Sequence, residues 1–227
     1  MSSTETPAQP VRQAQSAQPV QAAARPTAPA PVGDQRTFRP ATLDLGDVLL
    51  RPWGRTLELP GGVLPALTAA AADREIARWN PFRADDRAAA EAYLERCDTG
   101  WAEGGTAAFA VTDAADGRLL GNVALRWTNR EDGLAMVGYW LLAAARGRGI
   151  ATRATTAVTR WGVDTAAARR IELCHAVGND ASCRVATRAG FRYEGTLRAS
   201  YRYEGGEYFD EHLHARLATD PEPGRPG

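Results

Sequence analysis

The sequence predicts an α/β (α+β) domain in which helices cover both faces of one mixed sheet. Three observations carry that prediction. Segments of strand and helix character follow one another as β-α-α-β-β-β-α-β-α-β-β. Apolar runs on either side of "AADG" (114–117) and "EGGE" (204–207) read as hairpins. A strand, a glycine turn, a helix and a second strand follow between residues 134 and 177, which is a βαβ unit. Hairpins flanking such a unit argue against a doubly wound parallel sheet.

In chain order, "DVLLRPW" (47–53) is the first strand. Residues 62–79 carry apolar side chains at helical spacing up to Trp79-Asn80-Pro81, where proline stops the helix. A second helix lies in "RADDRAAAEAYLERCDTGWAEG" (83–104), with acidic residues near its start and glycine after its end. "TAAFAVTD" and "RLLGNVALRW" form the first hairpin, and "LAMVGYWLL" (134–142) is the next strand. After the glycines, Ile150, Ala154, Ala157, Val158 and Trp161 share one helical face. "RRIELCHAV" (169–177) is a nearly continuous apolar strand. "NDASCRVATRAG" is a short helix opened by Asn179, with Asp180 in its first turn and Gly190 at its end. "FRYEGTLRASYRY" and "YFDEHLHARLA" close the domain as a hairpin.

Composition sets the boundaries. Residues 1–40 hold seven of the fourteen prolines, and Phe38 is their only aromatic. Such a segment buries too little apolar surface to offset chain entropy and is expected to be a disordered tail. Residues 219–227 are expected to be a flexible end, leaving one domain at 41–218. Neither a signal peptide nor a membrane span is expected, because no apolar run is long enough. The three cysteines form no C-x-x-C pair, which suggests a reducing cytoplasm and neither disulfides nor a structural zinc site.

Residues 141–200 carry ten arginines against four acidic residues. That surplus favours an anionic ligand or marks solvated helix faces. Within it, "RGRGIA" (146–151) joins a strand to a helix. The first N–H groups of a helix lack internal partners and sit at the positive end of its dipole, so they can hold an anion. Arg146 and Arg148 would add charge-assisted bonds. A P-loop is excluded because the chain has no lysine. A dinucleotide loop is excluded because Thr152 stands where its third glycine belongs.

"RGRGIA" resembles R/Q-x-x-G-x-G/A, the pyrophosphate loop of the GNAT superfamily of acetyl-CoA-dependent N-acetyltransferases. Downstream, "NDASCRVATRAGFRYEG" is similar to N-x-x-S-x-x-V-A-x-x-x-G-F-x-x-E-G of the RimJ/RimL-like branch, the ribosomal-protein-alanine acetyltransferases. The resemblance runs from about residue 44 to 218. It implies a mostly antiparallel mixed sheet whose fourth and fifth strands splay apart around acetyl-CoA. Pantetheine would pair with the strand edge at Trp140, Leu141 and Leu142. The pyrophosphate would rest on the turn formed by Arg146, Gly147, Arg148, Gly149, Ile150, Ala151 and Thr152.

The resemblance also implies roles in catalysis. Direct acetyl transfer needs a neutral amine, a stabilised oxyanion and a proton for the leaving thiolate. Ser182 matches a serine thought to give that proton; otherwise it supports the helix start or binds the cofactor. Asn179 would bond pantetheine, cap its helix, or both. The N–H near Leu141 would serve the oxyanion. Met136 and Tyr201 stand where relatives place a carboxylate base. Glu172 is then a candidate base, or a partner for a nearby arginine; Glu131, Asp132 and Glu75 also remain. Trp79, Phe82, Trp101, Tyr201 and Tyr203 either line an acceptor slot or fill the core. His175, His212 and His214 show no third ligand at metal spacing, so no metal is expected. A covalent acetyl group on Cys183 is not expected either. The reading is an N-acetyltransferase acting on a protein N-terminus or a small amine, with room for a homodimer. The alternative is an acetyl-CoA-binding protein without catalysis; nucleic-acid binding is disfavoured by the zero net charge.

Overall fold

The computed structural model describes residues 36–80, 82–203 and 206–224. The elements are β1 (Leu43–Asp44), β2 (Val48–Pro52), α1 (Val63–Ala71), α2 (Arg74–Trp79), α3 (Arg87–Ala102), β3 (Thr106–Asp113), β4 (Leu119–Asn129), β5 (Leu134–Leu141), α4 (Ile150–Ala166), β6 (Arg170–Ala176), α5 (Asp180–Arg188), β7 (Arg192–Arg202) and β8 (Tyr208–Leu217). The strands form one sheet in the order β1-β2-β3-β4-β5-β6-β8-β7. Among the described residues only β5 and β6 pair in parallel, joined by α4.

The sheet divides two cores. On β3, Ala107, Phe109 and Val111 enter one cluster with α4 and α5, while Ala108 and Ala110 enter the other with α1, α2 and α3. This is the period-two alternation of a strand buried on both faces. Helix α4 presents Ile150, Ala154, Val158 and Trp161 as one buried stripe. Gly162 brings it close to β4, since a Cβ there would stand 2.4 Å from Leu125. Helix α3 buries Ala90, Leu94, Cys97 and Trp101, again at helical spacing.

Three expectations change. The helical stretch 62–79 is two helices, because Asp73 accepts from the N–H groups of Glu75 and Ile76 and so starts a new one. The tail boundary moves inward. Residues 1–35 lie outside the described residues, but Phe38 is fully buried and stacks 4.7 Å from Trp127. Its N–H donates to Gly104 O at 3.1 Å. The chain beyond Ala218 also packs back as far as described: Asp220 accepts from Leu217 N–H at 2.9 Å, and Glu222 pairs with Arg216 at 3.2 Å. Composition averaged over forty residues hid one aromatic that the core requires. Phe38→Ala should cost about 3 to 5 kcal/mol, read as a lowered urea midpoint with an unchanged slope.

Candidate active site

The parallel pairing of β5 with β6 runs through Leu134↔Arg170, Ala135↔Ile171 and Met136↔Glu172, and then stops. Beyond it the strands diverge. β5 stays paired with β4 as far as Gly121↔Leu141, while β6 stays paired with β8 as far as Ala176↔Glu211. A cleft of about 70 Å³ opens between them, lined by Val137, Tyr139, His175, Asn179, Ser182 and Tyr203 among others.

The edge of β5 supplies backbone groups to this cleft. Leu142 N–H donates to Leu120 O on β4 at 2.9 Å. Strand alternation therefore turns Trp140 toward β4 as well, and turns Tyr139 and Leu141 toward the cleft. Of the three expected pantetheine contacts, Leu141 alone faces the gap. The Trp140 side chain is buried against Phe82 in the core of α1–α3. The Leu141 carbonyl already accepts from Arg146 Nε at 3.0 Å, which leaves its N–H.

At the end of β5, a 3₁₀ turn at Ala143–Ala145 leads into the glycine loop. Gly147 and Gly149 have φ of 76° and 71°, left-handed values that favour glycine. The first α4 hydrogen bond joins Arg153 N–H to Gly149 O at 3.1 Å. The N–H groups of Ile150, Ala151 and Thr152 precede it, and no described side chain caps them. Ile150 is buried and anchors the helix, while Gly147, Arg148 and Gly149 are exposed. The arginines differ from expectation. Arg146 Nη2 pairs with Asp73 at 2.7 Å, so its charge ties the loop to the start of α2. Burial opposes charge on Asp73, but Arg146 and two backbone N–H groups hold its carboxyl below the ordinary range. Arg148 stands 3.9 Å from Asp47 and is the looser of the two.

On the other wall, Asn179 caps α5: its Oδ1 accepts from Ser182 N–H at 3.1 Å. The Tyr139 hydroxyl donates to Ser182 Oγ at 3.1 Å. Burial pushes the Tyr139 phenol up to about 12, against the pull of Ser182, so it stays protonated. Glu172 does not face the cleft as a free base. Arg170 holds it through Nε at 2.9 Å and grips Glu194 through Nη1 and Nη2 at 2.9 and 2.6 Å. The arginine-partner reading of Glu172 is the one the geometry favours. Glu75 accepts from the Trp79 indole at 3.2 Å, and Asp132 accepts from Asn129 in a surface turn at 2.7 Å.

A different carboxylate adjoins the cleft. Glu211 is buried and accepts from Tyr203 OH at 2.6 Å and Ser200 Oγ at 2.5 Å. Trp79 and Tyr203 line the cleft, with Tyr203 edge-on to Trp79 at 6.1 Å, and Tyr201 stands behind them, its ring 5.0 Å from Tyr203. Phe82 and Trp101 are core residues: Trp101 packs on Phe109 and Trp161. Burial and the nearby Glu211 and Glu172 push the Cys174 thiol up to about 12, so it is no nucleophile. Sequence reasoning missed Tyr139 and Glu211. "GYWL" held Tyr139 in plain view, but its partner lies 43 residues away.

The sequence profile of the acetyltransferase (GNAT) domain matches residues 47–192. This chain belongs to the GNAT acetyltransferase family. YdaF of Bacillus subtilis (strain 168), whose name assigns it provisionally as a ribosomal N-acetyltransferase, is 33% identical over 95 residues. That match takes in 42% of this chain and 51% of YdaF, so the chain spans about half the length of this curated relative. The ribosomal-protein-S5-alanine acetyltransferase from Vibrio fischeri has the same fold, with a TM-score of 0.67, 20% identity and coverage of 81% of this chain and 100% of that one. RimL, a ribosomal-protein acetyltransferase solved with coenzyme A, superposes with a TM-score of 0.67 at 18% identity, over 78% of this chain and 98% of its own.

Within this GNAT domain the loop glycines act through conformation. A Cβ at Gly149 would meet nothing within 4 Å, so φ alone penalises it. Gly149→Ala should cost about 1 kcal/mol of stability, measured by urea unfolding of the ligand-free chain.

Proposed function

We propose that this chain transfers the acetyl group of acetyl-CoA directly to a primary amine, with a protein N-terminus as the acceptor. The observation that carries the proposal is the divergence of β5 from β6 after Met136 and Glu172, with an uncapped helix start at one end of the opening. An unpaired strand edge suits the amides of pantetheine, and exposed helix N–H groups suit a pyrophosphate. The names of YdaF and RimL support a ribosomal-protein acceptor. Three free cysteines and a reaction that uses acetyl-CoA suit the cytoplasm. Among the described residues, no helix is long and apolar enough to cross a membrane.

The chain's own groups then divide the work. Leu141 N–H stabilises the carbonyl oxygen as charge builds there. Tyr139 donates to Ser182 Oγ, which leaves the serine's own hydrogen for the departing thiolate. Glu211 draws the proton from the attacking amine through the Tyr203 hydroxyl, which already donates to it. The Trp79 and Tyr203 rings, backed by Tyr201, hold the acceptor chain at the mouth.

The second reading, an acetyl-CoA binder without catalysis, is favoured by Met136 and Tyr201 in the positions of carboxylates and by the engagement of Glu172 with Arg170. Calorimetry with acetyl-CoA and a free-thiol assay over N-terminal peptides and small amines separate the two: binding with no turnover on any acceptor supports the binder. Ser182→Ala should lower kcat by about 10²-fold with CoA affinity kept, since the Asn179 cap uses the Ser182 backbone N–H. Undiminished turnover removes Ser182 from the mechanism. Glu211→Gln should also lower kcat about 10²-fold. Undiminished turnover assigns deprotonation to solvent.

A further inference from the structure

The sequence offered the three histidines no third ligand. The fold brings all three together with Cys183. One ligand atom each from His175, Cys183, His212 and His214 lies within 4.8 Å of the others. The placement follows from register. His175 on β6 is paired with His212 on β8, and His214 is two residues further along β8. Period-two alternation sets all three on one face of the sheet. That is the face on which α5 rests, since Leu173 on β6 and Ala186 on α5 share one core cluster. Cys183 lies three residues before Ala186, on the same helical face.

From these positions we propose that His175, Cys183, His212 and His214 bind a single zinc ion in a closed, tetrahedral, structural site.

The donor set is the first argument. Three imidazoles and one thiolate are ligands that zinc accepts, and four protein ligands make a structural site without an open position. Distances are the second. Zinc–nitrogen bonds of about 2.0–2.1 Å in a tetrahedron place two nitrogens about 3.3–3.4 Å apart. His175 Nε2 and His214 Nε2 are 3.3 Å apart. A sulfur and a nitrogen on zinc stand about 3.6 Å apart. Cys183 Sγ is 4.0 Å from His214 Nε2, so a few tenths of an ångström complete that edge. Orientation is the third. His175 Nδ1 lies 2.9 Å from Ala176 O, a bond that puts the ring proton on Nδ1 and leaves Nε2 as the donor atom. His212 Nδ1 is buried with no hydrogen-bond partner among the described residues. Tyr193 screens the two β8 imidazoles, its ring 5.1 Å from His212 and 5.5 Å from His214.

The site has a clear mechanical use. Helix α5 has nine residues, of which Ala186 alone is buried. Few apolar contacts hold it, yet it carries Ser182 beside the cleft. Zinc at Cys183 fastens its first turns to β6 and β8. Binding converts the Cys183 thiol to thiolate, and the proton goes to solvent.

The test uses the untagged 227-residue chain, since a histidine tag would bind metal itself. Zinc content after gel filtration in metal-free buffer should be about one ion per chain. It should fall below about a tenth in the double variant Cys183→Ala/His212→Ala. Cobalt titrated into the metal-stripped wild type should give a thiolate-to-cobalt band in the near ultraviolet and the intense visible bands of a tetrahedral site. Zinc should raise the thermal midpoint of the wild type and leave that of the double variant unchanged. Wild-type protein that retains no more zinc than the variant, or cobalt spectra without the thiolate band, would overturn the site and leave a hydrogen-bonded imidazole pair in a polar core. The cobalt titration needs no variant, so misfolding of the double variant does not decide the outcome. None of these readouts depends on acetyl transfer, so failure here leaves the proposed activity standing.

Discussion

The parting of β5 from β6 governs the rest of the molecule. A strand in the middle of a sheet ordinarily satisfies its backbone on both sides. Here β5 does so as far as Met136 and then turns the groups of Tyr139 and Leu141 to an open cleft. The strands stay apart because each keeps its other neighbour: β4 holds β5, and β8 holds β6. Unpaired strand groups inside an otherwise packed domain call for a partner.

The walls of the cleft are stiffened by charge and by hydroxyl bonds more than by bulk. The Arg146–Asp73 pair couples the glycine loop to α2, and Trp79 at the end of α2 stands at the mouth. The glycine loop and the cleft mouth are thus connected through one short helix. Arginine surplus by itself says little about a ligand in this chain. Arg146, Arg153, Arg160, Arg170 and Arg192 all spend their charge on nearby carboxylates. The N–H groups at the start of α4 carry no side-chain cap, and their polarity comes from the helix itself.

On the opposite wall, α5 has two faces with different tasks. Asn179 and Ser182 look toward the cleft, while Cys183 and Ala186 look toward the sheet. A metal on the sheet side and a proton donor on the cleft side would be neighbours in sequence yet separate in chemistry. The hydroxyl of Ser182 owes its setting to Tyr139, whose buried phenol holds its proton.

The sequence alone determined what is local. Apolar periodicity located most of the helices and strands, since side-chain spacing and backbone geometry repeat over a few residues. The glycine loop and the Asn179 cap were legible for the same reason, because φ and capping involve immediate neighbours. Tertiary structure decided whatever depends on contacts distant in the chain. It put Phe38 into the core across from Trp127, gave Glu172 to Arg170, and joined Tyr139 to Ser182. It also gathered His175, Cys183, His212 and His214 from two strands and a helix. Ligand spacing along the chain did not suggest that cluster, because strand register and the seat of α5 on the sheet set those distances.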